Sequence, residues 1–261
     1  MMAGMAGPIR TLRRWWLGRQ PFPESWRGII EKRLPFYRNY PDPLAGRFRS
    51  LLWLFAREKY FIGAGGLSIE DEHRAVISGC AARLVLFIGL QAYDRLTEIV
   101  VYPHAFKRRE DGEALLGEAH DWGTVVLSWP AVLDGLRRPC DGHDTALHEF
   151  AHVLDRSSGF FDGTPPLGRR RHYRDWARIM SEHFQKLRRH GWREDKVLRF
   201  YGAENEAEFF AVATEAFFER PRLMRRLLPQ LYAVLRRFYR FDPAEDPRCA
   251  GSPPPVHGDP D

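Results

Sequence analysis

The sequence predicts a mainly helical α+β fold with a small sheet, on three observations. Apolar residues recur at i, i+3, i+4 and i+7 through most of the chain, as in Leu147, Phe150, Ala151 and Leu154. Only two runs have the β-branched composition of strands, Glu98 to Tyr102 and Thr124 to Trp129, and a proline follows each. The 261 residues, 44% hydrophobic with 18 Phe and 8 Trp, can fill the core of one domain or of two closely packed lobes.

Taken in order, residues 1–20 mix glycine with arginine and are expected to form a flexible N-terminus, loose or at most a short helix. Pro21, Pro23, Pro35, Pro41 and Pro43 then punctuate turns around short helical pieces. A helix is expected from Ala45 to Phe61 on Leu51, Leu52, Leu54 and Phe55, stopped by the glycines at 63, 65 and 66. Ser68 is expected to cap the next helix, with Asp71 three residues on as the acid of a capping-box variant. Val76, Ile77, Cys80, Leu84 and Phe87 form its buried side over about 69–88, so Cys80 reads as core. The polar residues Lys107 to Asp121, between the two strands, read as a loop. Phe160 to Leu167 is another, by its Gly-Pro chemistry.

His172 to His190 reads as an amphipathic helix that buries Trp176, Ile179, Met180, Phe184 and Leu187. Its own histidines, His172, His183 and His190, are not at ligand spacing and read as surface or packing residues. Pro221 to Phe241 reads as a last helix on Leu223, Leu227, Leu228, Leu231 and Leu235. Residues 243–261 read as a disordered Pro-rich tail.

Several function classes are excluded. No run approaches the roughly 18 consecutive apolar residues of a membrane span, and no membrane partner is expected. The basic N-terminal residues are not followed by the apolar stretch of a secretory signal. Cys80, Cys140 and Cys249 are odd in number without paired spacing, which fits a reducing compartment and predicts a cytoplasmic location. The net charge of +6 is spread along the chain, with no zinc-finger, helix-turn-helix or RNA-binding signature. No direct nucleic-acid partner is expected.

The chemistry concentrates in His148-Glu149-Phe150-Ala151-His152. Residues four apart share a helix face, so His148 and His152 can aim two imidazole nitrogens at one Zn²⁺ ion. Glu149 lies beside that face, within reach of a water on the metal, and can act as general base. Asp144 or Thr145 can cap this helix, and Ser157-Ser158-Gly159 can end it. The strand at 124–129 lies close upstream; by analogy with zinc peptidases, where such a strand commonly lines the cleft, it could pair with an extended substrate, or it is a plain strand of the sheet.

A catalytic zinc site needs a third protein ligand. The helical pattern from Glu206 to Glu219 puts Glu208 and Glu215 two turns apart, so that one could bind metal while the other orients a ligand. Three other readings stand beside this one. Glu208 could be the acid of a capping box opened by Asn205. The glutamates could form a solvated face. Asp155, three residues after His152, could itself be the ligand.

The chain resembles the MtfA (Mlc titration factor A) family of gluzincin-type zinc peptidases, related in site layout to anthrax lethal factor. The matching stretches are Leu34 to Tyr37, Phe61 to Leu67, Val100 to Pro103, Val125 to Trp129, His148 to Asp155, Asp162 to Leu167 and Glu206 to Phe218. The resemblance implies a zincin-like peptidase domain over 21–242 with the small sheet beside the active-site helix. It implies His148, His152 and Glu208 as zinc ligands, Glu149 as general base and Tyr201 as the group that stabilises the oxyanion. Asp155 and Glu215 would then orient the imidazoles. Peptide or protein substrates follow, as endopeptidase or aminopeptidase, together with a Mlc-like transcriptional repressor of sugar uptake as a partner.

Overall fold

The computed structural model describes residues 8–104 and 123–245. In chain order these form α1 (Pro8–Leu17), α2 (Glu24–Arg33), α3 (Asp42–Glu58), β1 (Tyr60–Gly63), α4 (Asp71–Val85), β2 (Glu98–Tyr102) and β3 (Thr124–Ser128). There follow α5 (Trp129–Arg137), α6 (Thr145–Arg156), α7 (Arg170–Arg188), α8 (Trp192–Val197), α9 (Glu206–Glu219), α10 (Pro221–Leu227) and α11 (Pro229–Tyr239).

Helix α4 runs through the middle of the core. Every residue from Ala75 to Val85 is buried, and α2, α3 and α6 pack around it. Gly79 permits the close approach of the chain at the end of α2, because a methyl group there would lie 2.4 Å from Leu34 Cδ1. The three strands lie in the order β1-β2-β3 and are all parallel, with Phe61 opposite Ile99 and Ile99 opposite Val125. Ile99, Val101, Val125 and Leu127 face the core at alternate positions, as the period of a strand requires. Strand β3 packs on α6, so the small sheet stands beside the helix that carries His148 and His152.

The expected mainly helical α+β class is the observed one, with local differences. The helix expected to run to Phe61 stops at Glu58, and Tyr60–Gly63 forms a third strand paired with β2. The cap of α4 is Glu70 rather than Ser68. Its side chain accepts from the backbone of His73, and its own N–H donates to His73 Nδ1 at 3.2 Å. Trp129 belongs to α5 rather than to the strand, because Ser128 Oγ caps that helix through the N–H of Ala131 and Pro130 suits its first turn. The last helix is two, α10 and α11, divided where Pro229 has no N–H to continue the first.

The N-terminus expected to be flexible contains α1, held against α3 by Arg14, which donates to both carboxylate oxygens of Glu58 at 2.7 and 2.8 Å. Residues 105–122, expected as a loop, and the tail from 246 lie outside the described residues. Residues 243–245, the first of the expected tail, form a short 3-10 turn.

Candidate metal centre

Two capped helices build the site. Asp144 Oδ1 accepts the N–H of Leu147 at 3.0 Å and starts α6; Asn205 Oδ1 accepts the N–H of Glu208 at 2.9 Å and starts α9. The two helices pack against each other, and α9 is buried on every side although it carries Glu208, Glu215 and Glu219 on one face. Buried carboxylates need partners. Glu219 receives Arg83 at 2.9 Å and the N–H of Cys140 at 2.7 Å. Glu215 receives the N–H of Asp144 at 2.8 Å, Arg199, and His148 Nδ1 at 2.8 Å. Glu208 faces His148 and His152. The acids are therefore not a solvated face.

Three ligand atoms converge. Glu208 Oε2 lies 3.0 Å from His148 Nε2 and 3.4 Å from His152 Nε2, and the two Nε2 atoms are 3.1 Å apart. Two imidazole nitrogens at that separation require a proton or a cation between them. Ligands at about 2.0–2.1 Å around a tetrahedral ion are separated by about 3.3 Å, so the triangle fits a single small ion of the zinc type. All three side chains are buried.

The surroundings of the two imidazoles differ. For His148, burial disfavours the imidazolium, but hydrogen bonds to Glu208 and Glu215 outweigh it and raise the pKa to about 9. For His152, burial prevails and holds the pKa below its ordinary value. Burial pushes against ionisation of Glu208 as well, yet its bonds to both imidazoles hold the carboxyl far below the usual range. His152 Nδ1 is buried with no hydrogen-bond partner among the described residues.

The remaining expected residues are placed as follows. Glu149 is half-exposed on α6, and its charge acts on both imidazoles. Tyr201, in the 3-10 turn Phe200–Ala203 before α9, sits with its ring centroid 5.9 Å from that of His148. Glu215 bonds His148, as an orienting group should. Asp155 bonds neither imidazole: its Oδ2 accepts the N–H of Gly163 at 2.9 Å, because the loop after α6 folds back over this end of the helix.

Sequence reasoning did not find Arg199, which supports Glu215, or Phe161, whose ring lies 5.2 Å from that of His152. It also missed Gly163, where φ is 73° and a Cβ would meet the carbonyl oxygen of Glu206 at 2.4 Å. Nothing in local periodicity marks Arg199 or Phe161. Gly163 does fall within the family-like stretch Asp162 to Leu167.

Fold and site together place the chain among the metallopeptidases. It belongs to the glucose-regulated metallo-peptidase M90 family, whose model matches residues 9–240. It is 37% identical over 240 residues to the uncharacterized protein slr2042 of Synechocystis, covering 87% of both chains. It is 29% identical to Mlc titration factor A of Edwardsiella ictaluri over 240 residues, which are 86% of this chain and 88% of the relative. Against Mlc titration factor A of Yersinia pestis the identity is also 29%, over 92% of this chain and 96% of the relative.

Proposed function

We propose that the chain is a zinc-dependent peptidase in which His148, His152 and Glu208 hold the ion. The observation that carries this reading is the buried triangle of two Nε2 atoms from α6, the helix that also bears Glu149, and one carboxylate oxygen from α9. Zinc bound there would supply a water of lowered pKa and polarise the peptide carbonyl.

The protein's own groups do the rest. Glu215 accepts the Nδ1–H of His148 and so leaves the Nε2 lone pair for the metal. Glu149 takes a proton from the attacking water and returns it to the amide nitrogen as the C–N bond breaks. Tyr201 donates its phenol hydrogen to the oxygen on which negative charge develops. Strand β3, the end strand of the sheet among the described residues and packed on α6, is suited to pairing with an extended peptide. The odd number of cysteines, without paired spacing, supports work in the cytoplasm.

The test is metal analysis of the purified protein coupled to digestion of a peptide library. Glu149→Gln should retain zinc and lose about a hundred- to ten-thousandfold in turnover; undiminished turnover in the metal-loaded variant refutes the base assignment. Glu208→Ala should lose the metal. Unchanged metal content would transfer the ligand role to Asp155 or Glu215.

The name of the Edwardsiella and Yersinia relatives favours a second reading, sequestration of a Mlc-like transcriptional repressor. That role uses a surface and is independent of Glu149. Repressor binding that survives Glu149→Gln while hydrolysis disappears separates the two.

A further inference from the structure

Helix α1 lies on the protein with its faces reversed. A surface helix ordinarily buries its apolar stripe and shows its charges to water. Here Arg14 and Leu17 face inward, half-buried and buried, and the exposed Arg10, one turn before Arg14, reaches the same acidic partner. Arg14 bonds Glu58 and, at 2.7 Å, Asp94; Arg10 reaches Asp94 at 3.2 Å. Leu17 is 3% exposed. The opposite stripe, Leu12, Trp15 and Trp16 at i, i+3 and i+4, is 65%, 54% and 56% exposed. Ion pairs and Leu17 dock the helix, and Leu12, Trp15 and Trp16 are left exposed to solvent.

The charge around this stripe has one sign. Residues 8–20 hold four arginines and no acid. Glu58 and Asp94 are taken up by Arg14 and Arg10. Among the described residues, Arg13 donates to the carbonyl of Arg57 at 3.1 Å and Arg19 lies over the Trp15 ring at 3.7 Å, so neither has a carboxylate partner. Arg13, Arg19 and Arg57 are all exposed.

We propose that α1 is a docking helix for an anionic phospholipid surface, lying in the plane of the interface. Trp and Leu enter the boundary between headgroups and acyl chains, while the arginines meet the phosphates. A protein partner would have to combine an apolar groove with an acidic rim matched to this one helix. An anionic leaflet offers both everywhere, and the amphipathic indole ring suits the headgroup level. No membrane-crossing helix is required, and among the described residues none is long and apolar enough to be one. The expectation of no membrane partner rested only on the lack of a span. This surface shares no residue with the metal centre, and the proposal stands or falls without it.

The full chain should sediment with vesicles of phosphatidylcholine containing phosphatidylglycerol and not with phosphatidylcholine alone, and added salt should release it. The double change Trp15→Ala and Trp16→Ala should weaken binding by at least about tenfold. Arg13→Gln and Arg19→Gln should cost about fivefold each. These side chains lie on the surface, so circular dichroism and the melting temperature of each variant should match the parent. Phe200→Ala, which removes an exposed aromatic elsewhere, should change nothing. Failure to bind anionic vesicles overturns the proposal, as does binding that the tryptophan changes leave intact. Capture of a protein partner through Trp15 and Trp16 without vesicle binding overturns it too.

Discussion

His148 and His152 leave the same face of one helix one turn apart, yet their outer nitrogens meet opposite fates. His148 Nδ1 is bonded to Glu215, which is itself fixed by the Asp144 N–H and by Arg199. Through Asp144, which caps α6, that cluster adjoins the buried Arg83–Glu219 pair. His152 Nδ1 has no partner among the described residues, and its ring rests near Phe161, a side chain 43% exposed. One side of the metal triangle is thus braced by buried charge through α4, α6 and α9. The other is bounded by a loop. In the proposed peptidase this would fix the orientation of one imidazole by hydrogen bonding and that of the other by packing alone.

The largest expected effect breaks the braced side. Glu215→Gln keeps the shape but removes the charge that serves His148 and Arg199, and it leaves the Asp144 N–H facing an amide. Zinc affinity should fall about ten- to a hundredfold, measured by competition with a chelator of known affinity. Glu215→Ala should in addition cost about 3–5 kcal/mol of stability, because Arg199 loses its carboxylate and the site a buried partner. Asp155→Asn should leave zinc affinity near the parent value, since Asp155 bonds Gly163 and neither imidazole. Equal losses from the two changes would erase the asymmetry.

A smaller effect comes from the loop. Gly163 joins three elements: its N–H goes to Asp155 on α6, its carbonyl accepts Trp176 Nε1 of α7 at 3.0 Å, and its Cα faces the Glu206 carbonyl of α9. Gly163→Ala must shift that backbone and strain a positive φ, at about 1–3 kcal/mol. The displaced segment begins two residues before Glu208. A lowered melting temperature together with weakened zinc retention is therefore expected; lowered stability with unaltered zinc affinity would separate this loop from the ligand.

The same contrast explains what could be read from the sequence. His148, Glu149 and His152 are set by helical periodicity, which is local. Glu208 lies 56 residues beyond His152, and spacing alone gives it no more than even standing against the capping-box, solvated-face and Asp155 readings together. Packing of α6 on α9 buries Glu208 against both imidazoles, while the loop draws Asp155 to Gly163. The acidic face of α9 could be solvated on its pattern alone; Arg83 and Arg199, on other elements, make it core. Most helices were legible because their apolar stripes are long. Strand β1 was not, since four residues with alternately exposed and half-buried side chains carry too little pattern. Reversal of α1 could not be read either, because its moment is helical whichever face turns inward.

The smallest expected effect on the protein itself is at Phe161, and it sharpens the side bounded by the loop. The ring is partly exposed, is covered by Arg156 at 4.4 Å and touches no atom of the metal triangle by hydrogen bonding. Phe161→Ala should therefore change stability by under about 1 kcal/mol and leave zinc content unaltered. A substrate side chain approaching the metal from the His152 side would meet this ring, so KM for peptides with an apolar residue there should rise while kcat holds. The ring would then contribute binding shared by ground and transition states. A fall in kcat at unchanged KM would instead mean that Phe161 positions His152, whose Nδ1 has no hydrogen-bonding brace among the described residues.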